Sequence, residues 1–433
     1  MNYHSLNKQS PATFFREATL VGQAPDKGLY FPETIPAHGF TSAAQLRGLT
    51  PAEIGFQVMK PYVDPSIPDE VLKRIVEETL CFPIPLVKVT ETIYSLELFH
   101  GPTLAFKDVG ARFMSRCLGY FSREKKQRTI VLVATSGDTG GAVADGFYGV
   151  EGVDVVILFP SGKVSKVQEW QLTTYGGNIH SLEVDGDFDA CQKLVKQAFA
   201  DTALRNELFL TSANSINVAR WLPQQMYYFL ALQQWQEKNP PVFCVPSGNF
   251  GNICAGLMAW AGGLPVQHFL AACNANDVVP RYMQTAAYNP HPAVGTISNA
   301  MDVGDPSNFV RVLEIFGQSY PKLQSMFSSV SISDEVTTST ISSVWENLGY
   351  LLDPHGAVAF AALEEYLDKH PGQKGILLET AHPVKFPDSV EAATGKEIEF
   401  PEQVKALETK ERSATRMTAD YAQIKQYLTE RFR

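Results

Sequence analysis

The chain has 433 residues, of which 45% are hydrophobic and 19% charged, and its formal net charge is -10. This length and composition predict a globular protein of two or three domains with a large apolar core. The negative charge and the lack of a dense Lys/Arg cluster argue against a nucleic-acid-binding protein. The most basic run, residues 123–128, is interpreted as a solvated helix end.

The cysteines and the N-terminal residues indicate the cellular compartment of the protein. The six cysteines show no C-x-x-C spacing, so we interpret them as reduced core thiols rather than a disulfide framework or a zinc site. The first residues lack the charged-then-apolar pattern of a signal peptide. Glycine, proline and polar residues interrupt the most apolar long stretch, residues 252–273, so it cannot be a spanning helix. We therefore expect a cytoplasmic protein that does not associate with a membrane.

The first 84 residues are predicted to be mainly helical. Apolar residues recur at helical spacing in residues 51–59 and 68–78, and each segment starts with proline or an acidic residue. The turn-rich residues 82–85 then mark a boundary.

Short apolar segments alternate with helical ones after this boundary. The predicted strands are residues 129–134, 154–159, 179–184, 208–211, 242–245, 268–272 and 375–379. The predicted helices end at residue 148, span 164–175, 188–199 and 217–235, and start near 252, with a terminal helix marked by Tyr421, Ile424, Leu428 and Phe432. This alternation predicts an α/β fold with parallel sheets covered on both faces.

One lysine is a candidate nucleophile. Lys107 follows a Gly-Pro-Thr turn and the apolar residues Leu104, Ala105 and Phe106. Partial desolvation favours its neutral amine, which can form a Schiff base with a carbonyl. A lysine that merely extends to solvent would give the same local pattern.

Three loops follow predicted strands, where open α/β sheets bind their ligands. Residues 135–141 suit a carboxylate or phosphate at a helix start, although a plain turn looks similar. Residues 246–252 form a glycine-framed loop suited to a phosphate, with neither Walker A nor dinucleotide-binding spacing. Thr380 ends the last strand and offers a neutral hydroxyl to a ring nitrogen.

These features together match the needs of pyridoxal phosphate, which requires a Schiff-base lysine, a phosphate anchor, a substrate carboxylate site and a pyridine-nitrogen partner. The chain resembles the threonine synthases, a family of pyridoxal-phosphate-dependent enzymes with the tryptophan synthase β-subunit fold. The resemblance runs through residues 26–32, 105–108, 134–140, 212–217, 247–252, 299–303, 353–358 and 379–383.

The resemblance implies a fold and a domain division. The expected architecture is PLP fold type II, with two parallel-sheet αβα domains and an N-terminal mainly helical segment. The N-terminal domain would span residues 1–84 and the catalytic region residues 85–400, with a small domain of about 116–230 inserted in the large one. Residues 401–433 would form a docked C-terminal helix.

The resemblance also implies roles for individual residues. Lys107 would hold the cofactor and move protons on the substrate, and Asp138 would lie beside the cofactor's phenolic oxygen, where many relatives have asparagine. The other residues implied to bind the cofactor are Gly248, Asn249, Phe250, Gly251, Asn252 and Thr380. Those implied to bind the substrate are Ser136, Gly137 and Thr139 for its carboxylate, and Asn214, Ser215 and Arg220, with help from Lys163, for its phosphate.

The implied reaction converts O-phospho-L-homoserine and water to L-threonine and phosphate by γ-elimination and β-addition, in a monomer or homodimer. A plain helix cap with Arg220 in a surface ion pair is the alternative reading of residues 214–220. The alternative activity is a phospho-amino-acid lyase that releases phosphate, ammonia and a 2-oxo acid. A catalytically silent cofactor-binding module is a third possibility, against which the intact Lys107 argues.

Overall fold

The computed structural model describes residues 1–123 and 127–433 of the chain. Part of the basic run predicted to end a helix therefore lies outside the described residues. The first 80 residues form short strands and helices: β1 (Asn2–Ser5), β2 (Thr13–Phe14), α1 (Phe15–Val21), β3 (Tyr30–Pro32), α2 (Ala43–Leu46), α3 (Pro51–Val63) and α4 (Asp69–Thr79). The sequence predicted α3 and α4, but not the antiparallel sheet of order β2-β1-β3.

The middle of the chain alternates between strands and helices as predicted. It comprises β4 (Leu86–Lys88), β5 (Ile93–Glu97), α5 (Lys107–Ser122), β6 (Thr129–Ala134), α6 (Asp138–Phe147), β7 (Val153–Pro160), α7 (Lys166–Thr173), β8 (Ile179–Asp185), α8 (Phe188–Ala200), α9 (Thr202–Glu207) and β9 (Phe209–Thr211). The proposed domain boundary near residue 116 lies inside α5.

The remaining elements complete the two larger sheets. They are α10 (Val218–Trp221), α11 (Gln225–Gln234), β10 (Val242–Pro246), α12 (Gly251–Ala261), β11 (His268–Cys273), α13 (Val278–Thr285), α14 (Phe309–Ile315), α15 (Tyr320–Met326), β12 (Phe327–Ser331), α16 (Asp334–Leu348), α17 (Pro354–Lys369), β13 (Gly375–Glu379), α18 (Pro387–Thr394), α19 (Glu402–Glu408), β14 (Thr415–Thr418) and α20 (Tyr421–Phe432).

The two larger sheets are built mainly from parallel strands. Within the described ranges, one sheet has the order β12-β11-β10-β13-β5-β4, and only β4 is antiparallel to its neighbour. The other has the order β14-β8-β7-β6-β9 and is entirely parallel. The α/β prediction with two parallel-sheet layers is confirmed. No helix among the described residues is both long and apolar enough to span a membrane.

Two sequence predictions about helices need correction. The helix predicted over residues 217–235 is three pieces, because Pro223 lies in a 3-10 turn, Leu222–Gln224, between α10 and α11. The C-terminal segment is more than a docked helix, since β14 adds an edge strand to β8 before α20 begins. The helix itself is as predicted, with Ile424 and Leu428 buried.

The cysteines are free thiols, as predicted. Five of them are buried, whereas Cys81 is exposed. Burial raises the pKa of the Cys117 thiol well above its ordinary value, which keeps this group protonated and unreactive.

Glu379 ends β13 with a buried carboxyl group against the start of α17. One of its oxygens accepts the Asp353 N–H at 2.8 Å, and the other has no partner among the described residues. A Cβ at Gly356 would lie 1.6 Å from that second oxygen, so only glycine fits there. Burial, followed by the charge of Asp353, raises the pKa of Glu379 well above its ordinary value, which favours the protonated carboxyl in the folded protein.

Replacing Glu379 with glutamine is expected to reduce the loss in free energy of unfolding that the parent protein shows as the pH rises. A pKa that is raised on folding contributes stability that is full below the unfolded value of about 4.3 and declines as the pH rises above it. Glutamine keeps the shape without the ionisation. Urea unfolding of the parent and of Glu379→Gln should therefore diverge between pH 5 and pH 8, in favour of the variant.

The matched control is Glu237→Gln, because hydrogen bonds from Lys374 and Tyr94 lower the pKa of that half-buried carboxyl. A pKa lowered on folding contributes stability that is present above the unfolded pKa and is lost as the pH falls. Glu237→Gln should therefore be less stable than the parent at high pH, and this difference should shrink as the pH falls. Parallel profiles for the parent and Glu379→Gln would show that Glu379 is ionised in the folded protein.

Candidate active site

One cavity of about 1300 Å³ lies where β6, β10 and β13 end. The segments that follow these three strands all line it, as the strand-end rule for α/β sheets predicts. The sequence-predicted residues among its lining are Lys107, Ser136, Asp138, Thr139, Asn214, Ser215, Arg220, Gly248, Asn249, Phe250, Gly251, Asn252 and Thr380.

Lys107 is the first residue of α5 and is held beside Thr380 by the backbone. The Phe106 N–H donates to the Thr380 carbonyl at 2.9 Å, and Ala105 forms an isolated bridge with Ala381. The amine Nζ of Lys107 lies 3.3 Å from an oxygen of Asp138. The backbone therefore brings Lys107 and Thr380 to the wall of the same cavity.

Asp138 is buried and accepts hydrogen bonds from several donors. Besides Lys107, Lys385 lies 2.9 Å away and the side-chain amide of Gln168 2.9 Å away, both at the same carboxylate oxygen. Burial alone would raise the pKa of Asp138, but the charges of Lys385 and Lys107 hold it well below its ordinary value. The structure thus favours an ionised Asp138.

The loop between β10 and α12 presents backbone donors to the cavity. Phe250 takes the left-handed conformation, with φ of 60°, and α12 begins without a side-chain cap. The first N–H groups of a helix have no partner within the helix, so they are available to an anion. Gly248 makes room for this turn, because a Cβ there would lie 2.6 Å from the Cα of Met301.

Asn252 adds a side-chain donor at the same helix start. Its oxygen accepts hydrogen bonds from the hydroxyls of Tyr227 at 2.6 Å and Tyr228 at 2.9 Å. These contacts orient the amide, and its buried Nδ2 has no partner among the described residues. The loop therefore fits the phosphate of pyridoxal phosphate, and Tyr227 and Tyr228 are supporting residues that the sequence analysis missed.

Ser215 lies against this phosphate loop. Its hydroxyl accepts hydrogen bonds from the amides of Asn249 at 3.0 Å and Asn308 at 2.9 Å. Because both bonds are accepted, the hydroxyl proton remains free for a ligand in the cavity. The Asn249 oxygen accepts from the backbone and hydroxyl of Ser307, so its side chain supports the loop.

Arg220 brings an uncompensated positive charge to the cavity. The residue is only 3% exposed, and its Nε and Nη1 have no hydrogen-bond partner among the described residues. Burial lowers its pKa to about 10, although the charge of Asp108 partly opposes this. The alternative of a surface ion pair is wrong, and a buried guanidinium with free N–H groups is suited to an anionic ligand.

Arg311 is a further residue that the sequence analysis missed. Its guanidinium donates to the carbonyls of Tyr30, Ser215 and Ile216 and to the side chain of Asn308. The group is fully buried and stacks over Trp221 at 4.5 Å. It ties the loop that carries Ser215 to the N-terminal region of the chain. No motif around residue 311 signalled this contact.

The loop after β6 is arranged around Thr135. Its hydroxyl accepts the N–H groups of Gly137 at 2.9 Å and Gly140 at 2.8 Å. Ser136 and Thr139 line the cavity, but Gly137 does not, because its N–H is already used and its Cα faces Gln168. Lys163 is also outside the cavity lining, since it lies exposed on the turn after β7. The structure does not bring these two predicted residues to the site.

Comparisons with known proteins give family matches along most of the chain. The family model described as "Pyridoxal-phosphate dependent enzyme" matches residues 78–378, and those for the threonine synthase N terminus and C-terminal region match residues 2–80 and 356–428. The chain is 43% identical to the threonine synthase of Haemophilus influenzae and 41% identical to that of Escherichia coli, with 99% of each chain covered.

Solved structures give the same result. A crystal structure of threonine synthase from Escherichia coli has a TM-score of 0.92 at 41% identity, covering 99% of this chain and 100% of that one. The PLP-bound threonine synthase from Brucella melitensis also has a TM-score of 0.92, at 37% identity, with 100% of both chains covered.

Proposed function

The chain belongs to the threonine synthases, a family of pyridoxal-phosphate-dependent enzymes, and on that premise we propose that its substrate is O-phospho-L-homoserine. The observation that supports this substrate is Arg220, which lines the same cavity as Lys107 and whose buried Nε and Nη1 have no hydrogen-bond partner among the described residues. One anion position suits the cofactor phosphate, and the other suits a phosphate carried by the substrate.

Each phosphate has its own set of ligands in this proposal. Backbone N–H groups of Gly248, Phe250 and Gly251, together with the Asn252 amide, bind the cofactor phosphate at the start of α12. Asn214 and Arg220 bind the phosphate of the substrate. Asn249 contributes its backbone, and the free hydroxyl proton of Ser215 lies between the two sets.

The substrate's other end is held at the start of α6. Ser136 and the Thr139 hydroxyl would bind the carboxylate, assisted by the positive end of the helix dipole. Thr380 would hold the pyridine nitrogen of the cofactor through its hydroxyl group. Asp138 orients Lys107 and would hold the cofactor at its phenolic oxygen.

Lys107 is the residue that transfers protons in this proposal. Bound pyridoxal phosphate supplies an electron sink that makes protons on the adjacent substrate carbons acidic. The Lys107 amine takes the proton from the α carbon and serves the β carbon in turn, since it is the basic side chain within reach. Phosphate leaves the γ carbon, which takes up a proton and becomes the methyl group. The hydroxyl of water adds at the β carbon while its proton goes to the released phosphate, and return of a proton to the α carbon gives L-threonine.

A product assay tests the substrate and the outcome together. Full-length protein loaded with pyridoxal phosphate is given O-phospho-L-homoserine, and phosphate, L-threonine and 2-oxobutyrate are measured in parallel. Equal amounts of phosphate and L-threonine are expected. Phosphate with 2-oxobutyrate and ammonia would identify the lyase instead, and no phosphate release would refute the substrate.

The remaining proposals concern organisation. We retain the division into residues 1–84, 85–400 and 401–433, with closure of the region near 116–230 keeping water from the reacting atoms. Strands β6 to β9 fall within that region, and β14 joins their sheet from the C-terminal segment. A cytoplasmic monomer or homodimer is proposed, in keeping with the free cysteines; size-exclusion chromatography with light scattering distinguishes the two assemblies.

A further inference from the structure

A second lysine lies next to Asp138, outside the cavity lining. Lys385 ends the short 3-10 turn Pro383–Lys385, and its side chain is completely buried. Its Nζ is 2.9 Å from an oxygen of Asp138 and donates to the Thr103 carbonyl at 2.8 Å. Lys107 lies farther from Asp138, at 3.3 Å, and faces the cavity. Two lysines therefore contact one carboxylate, and the closer of them, Lys385, is buried.

The charges around this pair do not balance if every group is ionised. The cations are Lys107, Lys385 and Arg220, and the anions are Asp138 and Asp108. Asp108 is itself buried and accepts hydrogen bonds from the backbone and hydroxyl of Thr103. A buried charge without a counter-ion is costly, so one group is driven to its neutral form.

Lys107 is the group that gives up its proton most readily. Arginine keeps its proton in proteins, and Lys385 holds the shorter contact with Asp138. Burial lowers the pKa of Lys107, the charge of Asp138 opposes this, and the charges of Lys385 and Arg220 add to the lowering. Lys385 thus takes up the negative charge that would otherwise hold Lys107 as an ammonium group.

We propose that Lys385 is a positioning residue of the active site, which neutralises Asp138 and so keeps the Lys107 amine free to bond the cofactor. This inference rests on the role proposed above for Lys107. The Asp138–Lys385 pair is neutral as a unit.

The test follows the Lys107 amine directly. Full-length protein, stripped of its cofactor, is labelled with acetic anhydride at a series of pH values, and mass spectrometry quantifies the acetylated Lys107 peptide. Lys385→Met should raise the pH of half-maximal labelling by about one, because Asp138 then pairs with Lys107 alone. Asp138→Asn should lower it, because both lysines lose their counter-ion.

The opposite directions separate charge balance from general damage. The double variant Lys385→Met/Asp138→Asn should return towards the parent value, which a purely structural defect would not do. Lys374→Met is the control, since it removes a lysine paired with Glu237 away from the site, and it should leave the Lys107 profile unchanged. If Lys385→Met does not fold, the double variant carries the test against Asp138→Asn, because removing the Lys385 charge should raise the pH of half-maximal labelling above the value for Asp138→Asn alone.

Unchanged labelling of Lys107 in Lys385→Met and Asp138→Asn would overturn the proposal, as would shifts in the same direction. Labelling of the holoenzyme separates this outcome from a failure of the proposed function. Pyridoxal phosphate should protect Lys107 from acetylation in the parent protein. If pyridoxal phosphate does not protect Lys107 in the parent protein, the role proposed for Lys107 is refuted. The effect of Lys385 on the pH dependence of Lys107 labelling would still be measured in that case.

Discussion

Replacing Lys107 with alanine is expected to lower the rate of phosphate release by a factor of about 10³ or more. The substitution removes both the amine that bonds the cofactor and the base that moves protons, and general acid–base catalysis alone contributes about 10²–10⁴. Lys107→Arg should lose as much activity, because a guanidinium group stays protonated and cannot act as the base. Turnover at saturating substrate and cofactor measures the effect.

Two further measurements sharpen this expectation. Small primary amines in the buffer should restore part of the activity of Lys107→Ala, since they can enter the cavity and replace the missing base. Lys322→Ala, at an exposed position on α15, should retain the parent rate. Residual activity of Lys107→Ala within tenfold of the parent would contradict the assignment of Lys107.

The sequence predicted the fold and the site where neighbouring residues carry the signal. The loops after β6 and β10 are continuous segments, so their small and polar residues could be recognised together. Lys107 was recognised from its turn and apolar neighbours. Gly137 was predicted to bind the substrate carboxylate, whereas its N–H donates to the Thr135 hydroxyl and the residue is not part of the cavity lining. Hydrogen bonding within a loop decides which N–H groups are free, and spacing does not show this.

The missed residues reach the site from distant parts of the chain. Lys385 donates to Thr103 across a separation of 282 residues, and Arg311 reaches Tyr30 across 281. Both are ordinary basic residues in their local sequence, and only the folded chain shows that they are buried. The break between α10 and α11 was missed for another reason, since the apolar run over residues 217–235 outweighed a single proline.

Replacing Arg220 with methionine is expected to separate activity from stability. A charged hydrogen-bond partner lost from a buried site costs about 2–5 kcal/mol, which corresponds to a fall in kcat/KM of about 30- to 5000-fold for O-phospho-L-homoserine. Without substrate, however, the parent protein holds a buried cation whose Nε and Nη1 have no hydrogen-bond partner in the described part of the chain. An apolar side chain of similar length removes this cost, so the variant should unfold at the same temperature or a higher one.

Phosphate provides the internal check on this reasoning. An anion that binds the folded protein stabilises it, so inorganic phosphate should raise the unfolding temperature of the parent more than that of Arg220→Met. Arg281→Met is the matched control, because it removes an exposed arginine paired with Asp277, and it should keep both the parent kcat/KM and the full response to phosphate. A fall in stability that accompanies the loss of activity in Arg220→Met would instead indicate that Arg220 holds the fold together. Since the guanidinium lies in the cavity wall with two unsatisfied nitrogens, we expect the opposite result: a site that is costly to the free protein and stabilised once the substrate phosphate binds.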